Sequence, residues 1–343
     1  MKAVLYYGPQ NIKYEETTIK PLAKGEILVK VDSALTCGTD VKTYRRGHPV
    51  LIKQVPSGFG HEFAGVVEKV ADDVTKFKVG DRVVAANSAP CGECFYCKRE
   101  EYNLCENLDL LNGAYAEYIV IPARIVEKNT LIVPDDLPLE KAAFCEPLAN
   151  VIHGAARTEI KPGQTVGIIG IGPIGLMFAR VAKLMGAKVI AAGRNPIKLK
   201  LAEEFAHVDE VVDLIKYPNP EKIFKSFSEE GRGLDVMIEC VGLPEIWERA
   251  FSCVRPGGTV HFFGGCKSGS TVTFDTTKMH YGDIKLMSVF HHTPKYFREA
   301  LNLIASGEIE VEKLITDTLP LEKVEYAMQQ HIEGKAIKFL IKP

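Results

Sequence analysis

Hydrophobic positions change their rhythm part-way along the chain. From Met1 to about Val84 they come in short runs, KAVLYY, EILVKVDSALT, FAGVVEKVA and DRVVAA, separated by turn signals at Lys24-Gly25 and Val79-Gly80-Asp81. Short strands closed by turns, without helices between them, predict a small, mainly antiparallel β domain. A further run, GAYAEYIVIP, leads to a helical stretch from Leu139 to Arg157. Strands and helices then alternate, with strands at Val166 to Ile169, Val189 to Ala192, Glu210 to Asp213, Val236 to Cys240 and Val260 to Gly264. Such alternation predicts an α/β region built on a doubly wound parallel sheet. After about Ser288 it stops; Pro294 to Ser306 reads as a helix and AIKFLIK as a closing strand. That closing segment is too small for a domain, so it is expected to return to the first.

At 343 residues the chain is long for one core, which agrees with two domains. A hydrophobic content of 46% and a charged content of 25% are those of an ordinary globular protein, and a net charge of −2 gives no reason to expect nucleic acid or an anionic membrane as partner. No apolar run reaches membrane-spanning length, and MKAVLYYGPQNIKYEE carries neither a long apolar segment nor a cleavage site. A cytoplasmic, soluble protein is expected. Repeats and low-complexity linkers are absent from the sequence.

Nine cysteines are an odd number, and in a large chain without a secretion signal metal binding or plain burial is the better default than disulfides. Cys91, Cys94, Cys97 and Cys105 follow a C-x2-C-x2-C-x7-C spacing. Four thiolates so close in sequence can close a tetrahedron around Zn²⁺ with no position open, the mark of a structural site.

The stretch TVGIIGIGPIG, Thr165 to Gly175, reads as strand, tight turn and helix. Its Gly170, Gly172, Pro173, Ile174 and Gly175 fit the G-x-G-x-x-G template, in which the glycines make the turn, admit a pyrophosphate to the backbone and let the helix pack on the strand. The helix N-terminus then receives the phosphates. About 20 residues on, an acid ordinarily accepts bonds from the adenosine ribose. Here Gly193 stands at that place, followed by Arg194 and, four residues further, Lys198. Losing the acid removes repulsion of a 2′-phosphate, and the two cations attract one, so NADP(H) is favoured over NAD(H).

Cys37, His61, Glu62 and Glu146 are further zinc-binding residue types outside the four-cysteine cluster. The order Cys-Gly-Thr-Asp (37–40), Gly-His-Glu (60–62), Gly-Asp-Arg-Val (80–83), the four-cysteine lobe, Glu-Pro-Leu (146–148) and the glycine motif resembles the zinc-dependent medium-chain dehydrogenases end to end, most of all their sorbitol (polyol) dehydrogenase branch. The resemblance implies a GroES-like catalytic domain of residues 1–150, completed by 289–343, and a Rossmann domain of residues 151–288. It implies a catalytic zinc held by Cys37 and His61, with Glu62 and Glu146 bound directly or through water, and a substrate-touching hydroxyl on Thr39. A structural zinc on the four-cysteine lobe makes two per chain, and a homodimer or homotetramer is implied.

The chemistry so implied is hydride transfer between a secondary alcohol of a polyol or sugar derivative and a nicotinamide cofactor. Zinc lowers the pKa of the substrate hydroxyl, and Thr39 passes its proton outward. Lys42 stands where many relatives carry the next proton-relay histidine, leaving His48 or water as substitutes. His291 and His292 fall where polyol dehydrogenases place substrate-reaching side chains. The alternatives are an L-threonine 3-dehydrogenase, a simple alcohol dehydrogenase, and a zinc and dinucleotide binder without catalysis.

Overall fold

The strand Ile27–Leu35, buried along most of its length, is the hub of the first of two units in this computed structural model, which describes residues 1–48 and 51–343. That unit comprises Met1–Ala149 and His292–Pro343; the second is Asn150–His291. Glu62–Val70, Tyr118–Ile121 and Lys338–Lys342 pair antiparallel with the hub. Arg82–Ala85 and Thr130–Ile132 extend the sheet beyond Glu62–Val70, and Ile315–Pro320 lies parallel to Lys338–Lys342 at its other side. A smaller antiparallel sheet joins Asn11–Glu16, Lys2–Gly8 and Ser57–Gly58.

The closing strand is held by more than backbone pairing. Phe339 and Ile341 are buried in the same core as Tyr6, Phe59, Phe63 and Tyr115, each side chain worth about 1.5–3 kcal/mol on burial. The late segment is therefore an integral layer of the first unit.

In the second unit six parallel strands run in the order Glu210–Asp213, Lys188–Gly193, Thr165–Ile169, Leu234–Glu239, Val254–Phe262 and Lys285–Met287. In sequence order that is 3-2-1-4-5-6, the doubly wound arrangement of a Rossmann sheet. Four of its helices open with a proline, Pro173, Pro196, Pro220 and Pro244; there the fixed φ suits a helix and the missing N–H would have had no partner. The sheet's core gathers Ile169, Ile190, Met237 and Val260 with Phe224 and Phe251 from the helices.

Two details depart from expectation. The sixth strand is only three residues long and none of them is fully buried, too short to show a period in the sequence. The helical stretch from Leu139 is two helices, Leu139–Ala142 and Cys145–Thr158. Pro147 cannot donate to the carbonyl four residues back, so it is accommodated in the first turn of a new helix. Among the described residues no helix is long and apolar enough to cross a membrane.

Candidate metal and cofactor sites

Cys37 follows the hub strand and caps the helix Gly38–Arg46. Its Sγ accepts from the Thr39 amide at 3.4 Å, while Asp40 Oδ2 accepts from the Cys37 amide at 3.0 Å. Glu62 begins the neighbouring strand, so cross-strand register (Leu35 opposite Glu62) brings the two segments together. Donor atoms of Cys37, His61 and Glu62 lie within 4.8 Å of one another. His61 and Glu62 are buried, and Cys37 is half-buried.

Asp40, which the sequence presents only as the end of a motif, ties two of these residues together. Its Oδ1 faces His61 Nδ1 at 3.0 Å, and its Oδ2 also lies 2.5 Å from the Tyr115 hydroxyl. Burial by itself would lower the pKa of His61, but the Asp40 carboxylate outweighs it and holds it well above the usual value. A carboxylate this close to the ring is the kind of partner that orients a metal-binding histidine.

Lys338 is the second residue that sequence reasoning missed. Its ammonium, 2% exposed, binds Glu62 Oε2 and donates to the Thr36 carbonyl at 2.9 Å. Burial would discharge this lysine; the Glu62 carboxylate, with Cys37 and Glu146 behind it, keeps its pKa raised. Glu62 Oε1, in contrast, is buried with no hydrogen-bond partner. A buried lone oxygen is costly to leave unmatched, and beside thiolate and imidazole it fits a zinc ion.

Glu146, in the first turn of Cys145–Thr158, stands outside that group of three. Its Oε1 lies 3.8 Å from His292 Nε2, which is 3.0 Å from Asn87 Oδ1. His291 instead belongs to the second unit, where its carbonyl accepts from His153 Nδ1 at 2.7 Å. Thr39 is half-buried beside Cys37, Lys42 is exposed, and His48 Nδ1 accepts from the Leu51 amide at 3.2 Å.

The four-cysteine lobe has different geometry. All four Sγ atoms lie within 4.8 Å of one another, with Cys91–Cys97 and Cys94–Cys105 at 3.9 Å. Sulfurs about 2.3 Å from one zinc at tetrahedral angles stand about 3.8 Å apart, so the lobe is already shaped for the ion. Backbone amides, that of Cys97 foremost, lower the Cys94 thiol to about 6. Lys128 Nζ donates to the Pro90 and Cys91 carbonyls at 3.1 and 2.8 Å, pinning the loop where the cluster begins.

In the second unit the glycine motif links Thr165–Ile169 to Pro173–Leu184. A side chain on Gly175 would overlap the Gly170 carbonyl, whereas one on Gly172 would meet nothing within 4 Å. The third glycine thus serves helix packing and the second leaves the backbone open to a ligand. Gly193 ends its strand under the side chain of Ile171, with which any side chain there would collide. Packing is therefore a second reason for that glycine, which the sequence does not disclose. Arg194 is exposed and Lys198 half-buried, and neither forms an ion pair among the described residues. Burial lowers the pKa of Lys198.

A closed thiolate cluster, an open thiolate, imidazole and carboxylate set, and a Rossmann sheet with its glycine turn together define a zinc-dependent nicotinamide dehydrogenase. Residues 23–135 match the model of the alcohol dehydrogenase GroES-like domain and residues 173–306 that of the zinc-binding dehydrogenase. Sorbitol dehydrogenase of Bacillus subtilis (strain 168) is 31% identical, over 100% of this chain and 97% of its own length. Among solved structures, a zinc-binding dehydrogenase from Sinorhizobium meliloti 1021 bound to NADP is similar with a TM-score of 0.90 and 30% identity, over 100% of this chain and 99% of that one. A short chain alcohol dehydrogenase from E. coli CFT073 complexed with NADH gives 0.89 and 27%, with the same coverage. The chain belongs to the zinc-dependent medium-chain alcohol dehydrogenase family, and it is an oxidoreductase.

Proposed function

We propose that the enzyme interconverts a secondary alcohol of a polyol or sugar derivative and its ketone, exchanging the hydride with NADP(H) in preference to NAD(H). The observation that carries the reading is the convergence of Cys37, His61 and the unpartnered Glu62 Oε1 in a set distinct from the closed four-cysteine lobe. Glu146 would complete the donors around the first zinc, and a second zinc would be held by the lobe. Similarity to a sorbitol dehydrogenase supports the polyol class.

Bound among these residues, zinc supplies Lewis-acid polarisation that makes a substrate hydroxyl acidic near neutral pH. Thr39, beside Cys37, takes that proton from the hydroxyl and hands it outward. His48 has its Nδ1 engaged by a backbone amide and Lys42 points to solvent, so water is the simplest next station. Asp40 fixes the His61 ring and Lys338 fixes Glu62, so the donors keep their geometry while substrate comes and goes.

Arg194 and Lys198 support the cofactor preference, since neither has a carboxylate partner and both flank the end of the strand Lys188–Gly193. Nine free thiols, four of them shaped for a metal, suit a reducing cytoplasm, and two or four copies per molecule are expected. A panel of polyols, sugar acids and L-threonine, run with both cofactors and followed at nicotinamide absorbance, tests the reading. Polyol turnover should dominate with NADP⁺, and replacing Arg194 and Lys198 by Ala should erode that preference by about tenfold per cation, the worth of one charge-assisted hydrogen bond. Turnover of L-threonine alone would overturn the substrate class, and wild-type preference for NAD⁺ would overturn the cofactor.

A further inference from the structure

Glu239 closes the central strand Leu234–Glu239 of the parallel sheet and is fully buried, yet no step above uses it. Its neighbours in register are Ile169, whose strand runs into the glycine motif, and Phe262, whose strand runs into Gly264-Gly265. Three turns at the carboxyl edge of the sheet therefore meet around it, and in this architecture that edge is where a dinucleotide lies.

The residue grips two of those turns. Its Oε1 accepts from the Val241 and Gly242 amides at 2.7 and 2.8 Å. Its backbone carbonyl accepts from Phe263 and Gly264 at 3.0 and 2.9 Å. Packing locks the turns together: a side chain on Gly242, where φ is +79°, would lie 2.6 Å from the Gly265 carbonyl oxygen, and one on Gly264 would fall on the Gly242 amide and 2.7 Å from Glu239 Oε2. The first glycine of the motif joins them, because a side chain on Gly170 would lie 2.6 Å from Val241. Oε2 itself is buried without a hydrogen-bond partner, and burial pushes the carboxyl's pKa up. A buried acid with one oxygen unmatched costs stability, which sets this carboxyl apart from an ordinary packing side chain.

We propose that Glu239 is a positioning residue for the nicotinamide nucleotide: its carboxyl group shapes the turn Cys240–Gly242, which packs on Phe263–Gly265, and that half of the cofactor is held against the two turns. The inference rests on the dinucleotide reading given above. Strands Leu234–Glu239, Val254–Phe262 and Lys285–Met287 form the second mononucleotide half of the sheet, while the glycine motif and Gly193 belong to the adenosine half. A defect at Glu239 should therefore weaken one half of the cofactor and spare the other.

The molecule carries its own reporter. Trp247 is the single tryptophan in the sequence, its Nε1 donates to the Gly264 carbonyl at 3.0 Å, and its ring stacks on Phe262 with centroids 4.2 Å apart. Tryptophan emission and ligand titrations on the zinc-loaded protein test the proposal. Glu239→Ala should shift the emission and weaken NADPH or NADH binding by about tenfold or more, the loss of one to two hydrogen bonds' worth of order, while ADP binds as to wild type. Glu239→Gln keeps an oxygen for the two amides and should restore most of the affinity. If Glu239→Ala does not fold, Gly264→Ala, which disturbs the same pair of turns, should reproduce the selective loss.

Equal weakening of ADP and dinucleotide, or dinucleotide affinity within about twofold of wild type in Glu239→Ala, would overturn the proposal. So would failure of Gln to rescue, or an unselective Gly264→Ala where that variant stands in. A wild-type protein that bound neither NADPH nor NADH would instead overturn the dinucleotide reading itself.

Discussion

Cys91, Cys94, Cys97 and Cys105 come from one loop of fifteen residues, while Cys37, His61 and Glu62 come from the adjoining ends of two neighbouring strands and depend on a lysine 276 positions beyond Glu62. The lobe needs little help: its sulfurs already stand near tetrahedral spacing, and backbone amides and Lys128 stabilise the loop. The second set is largely buried, with Cys37 half-exposed, and is held by Asp40, Tyr115 and Lys338. A closed site can be written locally because it has only to hold its ion. An open one must keep its shape with a position unfilled, and that requires a supporting layer drawn from the whole unit.

The sharpest break of this contrast is a pair of substitutions. Cys37→Ser should abolish turnover with little change in melting temperature, and Cys94→Ser should lower the melting temperature and release the lobe's metal; equal stability losses would erase the distinction. Next in size, Lys338→Met leaves the Glu62 carboxylate buried without its cation. Breaking such a pair costs about 3–5 kcal/mol, and denaturant titration should find most of that loss in metal-depleted protein and less once zinc supplies a positive charge. A loss independent of zinc would mean that Lys338 serves packing alone.

Asp40→Asn keeps the shape and the helix cap but removes the charge facing His61. By the usual effect of such partners, zinc affinity or turnover should fall about 10–100-fold, read by competition with a chromogenic chelator; unchanged affinity would make Asp40 a capping residue only. The smallest effect belongs to Lys128→Met. Because the lobe's amides remain, chelator-driven zinc release from it should quicken by only about threefold, within one surface hydrogen bond's worth, with turnover unaltered. A collapse of the lobe in that variant would show that it, too, leans on distant support.

The same contrast explains what could be read beforehand. Cysteine spacing and strand–helix alternation are local patterns, so the thiolate cluster and the doubly wound sheet were legible. Asp40 was visible as a motif letter, but its grip on His61 depends on the register of Ile27–Leu35 with Glu62–Val70. Lys338 gave no signal, since a lysine in AIKFLIK ordinarily points to water and only the fold buries it. Gly193 reads in the sequence as a missing acid, while the Ile171 side chain lying over it belongs to a turn more than twenty residues away. Lys285–Met287 gives no signal because three residues, one exposed and two half-buried, have no period to detect.

The insertion of Asn150–His291 between the two parts of the first unit also sets an order in time. On the ribosome the chain reaches Lys338 only after the entire second unit has been made, and domains emerging during synthesis tend to fold as units. The unit that starts first therefore finishes last, with the Glu62 carboxyl awaiting its lysine while the inserted unit folds. Arrested nascent chains ending before Lys338 should already retain zinc on the Cys91–Cys105 lobe and fail to retain it at Cys37. If both sites take zinc, their loading would be separated by the time taken to translate the insertion: a metal on the lobe would come early enough to guide folding, and one at Cys37 only when folding is done.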